Sequence, residues 1–84
     1  MMITALILAS QLTVFCGEQR DFAELVMKAQ KTGVTMARVL EKEAENPLNQ
    51  AIAIMAYRRP EMTISEFGEV IYKMCLENTD ETNQ

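Results

Sequence analysis

Histidine and tryptophan are absent from the chain, and cysteine occurs only twice. Without histidine, a cysteine nucleophile has no usual base, and a structural zinc ion has too few ligands. No pair of carboxylates is set into an apolar stretch by a spacing that would tune one acid against the other. No catalytic residue is therefore assigned, and the chain reads as a non-enzyme with no metal and no cofactor. Charge is missing from the first sixteen residues, since every Lys, Arg, Asp and Glu follows Cys16. Over the whole chain the balance is acidic, with a formal net charge of −4. That argues against a nucleic-acid partner or an anionic membrane surface. Strand signals are missing too: there is no sustained apolar–polar alternation and no Asn-Gly or Asp-Gly turn.

What is present points to one small helical domain. Eighty-four residues of which 49% are apolar suffice for a modest core. A domain of this size commonly needs a staple: a disulfide, a metal or an oligomeric partner. Seven methionines suit either an adaptable core or a soft binding face.

Residues 1–15 form an apolar stretch with an h-region from Ile3 to Leu8, extending toward Phe15. They read as an export signal or a membrane tether, with Ala9 and Ser10 as the small residues near which cleavage would fall. No Lys or Arg precedes the run, and Phe15 does not suit a lipoprotein site at Cys16. A spanning helix needs about 20 apolar residues, and this run is shorter. The other reading is a first structural helix, apolar on every side.

Four amphipathic segments follow. From Arg20 to Thr32, Phe22, Leu25, Val26 and Ala29 recur at helical spacing, and Gly33 is placed to close the helix. Thr35 is the expected N-cap of a second helix, with Val34 and Val39 as its staple and Met36, Val39, Leu40 and Ala44 facing inward. The charged run Glu41, Lys42, Glu43 and Glu45 is a solvated face. Asn46-Pro47 opens a third helix, because proline suits the first helical position. Leu48, Ala51, Ile52, Met55 and Ala56 would line its buried side, with Pro60 beyond its end. Tyr57, Arg58 and Arg59 near that end are candidate partner-binding residues, although arginines there also serve carbonyls and solvent. Thr63 and Glu66 form a capping box, with Met62 and Phe67 as its staple. Phe67, Val70, Ile71, Met74 and Cys75 would face inward on the fourth helix. Residues 16–77 thus make the helical domain, and 78–84 a flexible acidic tail.

Cys16 and Cys75 fit neither a CxxC motif nor a metal-ligand spacing. In an oxidising compartment they would join the two ends of the domain, closing a loop worth roughly 4 kcal/mol in chain entropy. In the cytosol they would be ordinary thiols.

The chain resembles a group of small exported proteins of proteobacteria and their phages. The resemblance rests on Cys16, the segment from Ala29 to Met36, the segment Ala56-Tyr57-Arg58-Arg59-Pro60, and Cys75, and covers most of residues 16–76. It implies an exported, two-cysteine, all-helical domain and no activity. This chain departs from the group in its short, uncharged leader.

The expectation is an all-α bundle of about four short helices closed by a Cys16–Cys75 disulfide. Its expected role is a non-enzymatic, periplasmic or secreted module that binds an unidentified protein and can also pair with itself. Two alternatives stand beside it: a membrane-tethered, phage-encoded regulator of lysis or superinfection, and a cytosolic helical adaptor or inhibitor.

Overall fold

The structure, a computed structural model, describes the backbone of residues 2–82 and the side chains of residues 11–78. Four helices are present: α1 (Met2–Lys31), α2 (Met36–Lys42), α3 (Pro47–Arg58) and α4 (Ile64–Thr82). No strand occurs among the described residues. The all-α architecture expected from the sequence is the one observed.

Helix α1 begins well before the expected start at Arg20 and is unbroken from Met2. Residues 2–31 contain no proline, and Gly17 alone costs about 1 kcal/mol of helix propensity, which neighbouring turns carry. The leader is therefore helically continuous with the domain; its side chains up to residue 10 lie outside the described residues. Helix α4 likewise runs past Asn78 to Thr82, because no glycine or proline stops it. Of the expected tail, residues 83 and 84 lie outside the described residues.

The caps follow from local chemistry. The backbone N–H of Val34 donates to the Ala29 carbonyl at 3.0 Å and that of Gly33 to Gln30 at 3.3 Å. This double closure needs a left-handed residue, and Gly33 supplies it with φ of 93°. Thr35 accepts from the Arg38 N–H, and Asn46 from the Asn49 N–H. At α4 the Thr63 N–H donates to Glu66 Oε1 at 2.9 Å, and the Glu66 N–H donates to Thr63 Oγ1 at 3.0 Å. This is the capping box read from the sequence.

Helix α1 packs chiefly on α4 and then on α3, while α2 leans on α3. Cys16 meets Cys75, Arg20 lies over the Tyr72 ring, and Glu24 lies against Gly68. Positions climb on α1 as they fall on α4, so the two helices are antiparallel. The core holds Ala23, Val26 and Met27 of α1, Ile52, Ala53 and Ala56 of α3, and Phe67 and Ile71 of α4. Three alanines at this junction let the helix axes approach closely, and Phe67 and Met27 fill the space left.

The helical phase differs from the expected one at several places. Leu25, expected inward, is 64% exposed, while Ala23 and Met27 take the core. Cys16 explains this: it is fully buried, and residues seven and eleven positions later share its side of α1. On α3 the buried set is Ile52, Ala53 and Ala56, so Leu48 and Ala51 turn outward. Met36 and Met74 are exposed as well. Ala44 lies beyond the end of α2 and is exposed, because the chain leaves the helix before Asn46-Pro47.

Candidate functional site

The disulfide defines the most distinctive surface. Cys16 and Cys75 are bonded, with their Cα atoms 5.6 Å apart and a separation of 59 positions in sequence. The expected pairing is thus present, and it ties the middle of α1 to the far half of α4. Cys16 is buried and Cys75 is half-buried.

Beside this bond lies a groove of about 240 Å³ between α1, α3 and α4. Phe15 and Gln19 line it from α1, Leu48, Ala51, Ile52 and Met55 from α3, and Ile71, Met74, Cys75 and Asn78 from α4. No charged side chain lines it among the described residues. Its floor is core, and its walls are the apolar residues that helical phase turned outward. Phe15 is 46% exposed, Leu48 47% and Met74 40%. Leu48, Ala51 and Met55 stand at i, i+3 and i+7, so α3 presents a second apolar stripe beside its buried one. Gln19 and Asn78 bring carboxamides to this lining. Gln19 Oε1 is shielded from solvent and has no hydrogen-bond partner among the described residues.

A second depression, of about 610 Å³, lies between α1 and α2 at the other end. Phe22, Leu25, Ala29, Val34 and Val39 line it, and Lys28, Arg38, Lys42 and Glu43 contribute to its lining as well. It is larger, but its apolar residues are mixed with charges of both signs.

The sequence also pointed to Tyr57, Arg58 and Arg59. Tyr57 is half-buried against the core, and its hydroxyl donates to the Val34 carbonyl, fastening the end of α3 to the α1–α2 turn. Burial pushes its hydroxyl above the ordinary tyrosine value. Arg58 and Arg59 are exposed, and Arg59 lies 3.6 Å from Glu61. The three are adjacent in sequence, but Tyr57 turns to the interior while the arginines face solvent.

Sequence reasoning missed the groove because Phe15 was assigned to the leader, and Leu48, Ala51 and Met74 to the core. One signal was available. Between Leu48 and Tyr57 nearly every residue is apolar or small, which exceeds what one buried helix face needs.

Among the described residues, no three His, Cys, Asp or Glu side chains come together as a metal site. No helix among them is long and apolar enough to cross a membrane. Comparison with family models, curated proteins and solved structures finds no match for this chain.

Proposed function

We propose that the chain is a small, non-enzymatic helical module that acts outside the cytosol, in the periplasm or at the cell surface, by binding another protein. The observation that carries this reading is the Cys16–Cys75 disulfide set beside an apolar groove that no charged side chain lines among the described residues. Disulfides persist where the surroundings are oxidising, and most cytosolic thiols stay reduced. The resemblance to exported two-cysteine proteins of proteobacteria and their phages agrees with that compartment.

Exposed apolar residues in a continuous patch mark contact surfaces more often than scattered ones do. Helix-in-groove recognition uses such a patch, with apolar anchors repeating along one face of the partner. Met55 and Met74 suit the task, because unbranched thioether side chains adjust to the shape they meet. Leu48→Glu and Met74→Glu should abolish capture of the physiological partner while leaving the fold intact. Arg58→Glu with Arg59→Glu tests the other expected surface in the same assay. If both groove variants bind as the wild type does, the groove is not the contact surface.

One observation favours a second reading. The unbroken course of α1 from Met2 makes the leader part of a structural helix, as in a cytosolic adaptor. The two readings separate on the thiols: two free cysteines in protein taken from its host support the adaptor, and none supports the exported module.

A further inference from the structure

We propose that the depression between α1 and α2 is a second docking surface, and that its occupant is an acidic amphipathic helix of another protein. That helix lays apolar residues into the depression and sets carboxylates against α2. The surface lies at the opposite end of the bundle from the disulfide groove, so the inference stands or falls apart from the reading of that groove.

Charge names the occupant. The chain carries a net charge of −4, yet three of its eight cations, Lys28, Arg38 and Lys42, line this one depression. All three are exposed, and among the described residues none lies within ion-pair distance of a carboxylate. The acid in the lining, Glu43, is already engaged: its Oε1 accepts from Asn49 Nδ2 at 2.9 Å. Glu41 and Glu45 stand outside the lining. On α1, Asp21 and Glu18 come four and seven positions before Leu25 and share its stripe. Negative charge thus borders the upstream α1 side, and positive charge the α2 side. Complementary acids on a partner therefore lie over α2.

Shape favours a helix over a small molecule. Phe22, Leu25 and Ala29 line the α1 side of the depression, and Val34 and Val39 line the other. Leu25 is 64% exposed and Val34 36%, so the site is an open trough rather than an enclosed cavity. A small-molecule site buries most of its ligand, and these walls do not. Helix α2 is seven residues long, has no buried residue and leans on α3. So short a helix gains little from its own hydrogen bonds, and an arriving helix supplies the missing burial. Arg38 and Lys42 stand about 6 Å apart along the α2 axis, with Lys28 on the opposite wall. That spread matches carboxylates repeating at i and i+4 on a helix, not the single head group of a lipid.

The test uses the full, oxidised chain and two synthetic helical peptides of about eighteen residues. Both carry a leucine stripe at i, i+4, i+7 and i+11; one flanks it with glutamates, the other with lysines. Affinity is read by fluorescence anisotropy at low ionic strength, and the site by amide chemical shifts. The glutamate peptide is expected to bind at least about tenfold tighter than the lysine peptide and to weaken with salt. Its shifts should centre on Leu25 and Val39. Arg38→Glu with Lys42→Glu should invert the preference, and Leu25→Glu should abolish binding of the glutamate peptide. If the α2 pair disturbs that short helix, judged by circular dichroism, Lys28→Glu on α1 should still narrow the preference. A glutamate peptide that fails to bind overturns the proposal, and dodecanoate bound in its stead assigns the depression to a small anionic lipid. Equal affinity for both peptides overturns it as well, and so do shifts centred on Phe15, Leu48 and Met74. The reading of the disulfide groove is judged separately, by whether Leu48→Glu and Met74→Glu abolish partner capture.

Discussion

The two ends of this bundle are fastened by different chemistry. At the turn end, where α1 meets α2 and α3 meets α4, the contacts are polar and local. The Gly33 closure, the Thr63–Glu66 capping box, the Tyr57 hydroxyl on Val34 and the Lys31 ammonium on the Pro60 carbonyl hold four chain segments together. At the opposite end α1 and α4 meet through Cys16 and Cys75, and the surface beside them is an apolar groove with no charged lining among the described residues. A network of separate hydrogen bonds, each worth about 1 kcal/mol, is lost piece by piece. A covalent link fails all at once, and only where reductant reaches it. The difference shows why the second end can leave Phe15, Leu48 and Met74 open to solvent: the bond, not their burial, holds the helices in place.

Removing the link should have the largest effect. Cys16→Ser with Cys75→Ser is expected to lower unfolding free energy by roughly 4 kcal/mol through loop-closure entropy, measured by urea denaturation. Hydrogen exchange should accelerate first in the segments around Cys16 and Cys75 and only later at Gly33 or Thr63. Uniform acceleration would mean that the two ends are not independently fastened.

Changes at the turn end should be smaller. Gly33→Ala forces a side chain into the left-handed region and should cost about 1 kcal/mol or somewhat more. Tyr57→Phe removes the hydroxyl that donates to Val34 and should cost about 1 kcal/mol in the same assay. If the two sum within a few tenths, no shared network couples them. Gly17→Ala has the opposite sign: a methyl there meets nothing closer than the Arg20 guanidinium at 3.8 Å, so α1 should gain about 0.5–1 kcal/mol.

Acid should act on the turn end through Glu66. The Glu66 carboxyl lies below its ordinary value of 4.5, chiefly because the Thr63 N–H and hydroxyl hold its charged form, with Lys31 adding attraction. A lowered folded value stabilises the fold above the unfolded value, and that contribution disappears as pH falls through the folded one. The protection of the Thr63 amide, its exchange rate measured against the intrinsic rate at each pH, should therefore fall below pH 4.5, and Glu66→Gln should remove that fall. The smallest effect on stability belongs to the groove. Leu48→Glu at a half-exposed wall should move the unfolding midpoint little, within about 0.5 kcal/mol, while abolishing partner binding.

Much of the turn end was legible in the sequence because its signals are local. Thr35, Asn46-Pro47, Thr63 with Glu66, and Gly33 each act on amides or carbonyls within one turn, so the residue and its neighbours determine the outcome. The disulfide end depends on helical phase and on contacts between distant segments. Spacing alone made Leu25 an inward residue. The buried face of α1 is instead fixed by the bond at Cys16, which carries Ala23 and Met27 inward. On α3 both sides are apolar, and periodicity cannot choose between Ala53 and Ala51 for the core. The groove arises from that surplus. The continuity of α1 through Gly17 was missed for a related reason: the absence of charge before Glu18 suggested a separate leader, but nothing in residues 2–31 stops a helix.

The most direct test is the intact mass, after thiol alkylation under denaturing conditions, of the protein recovered from its native host. The account predicts an unalkylated chain lighter than its reduced form by two hydrogens, the signature of the Cys16–Cys75 bond. Two alkylated cysteines would contradict it: in the cell, the disulfide end would then have no link to hold it.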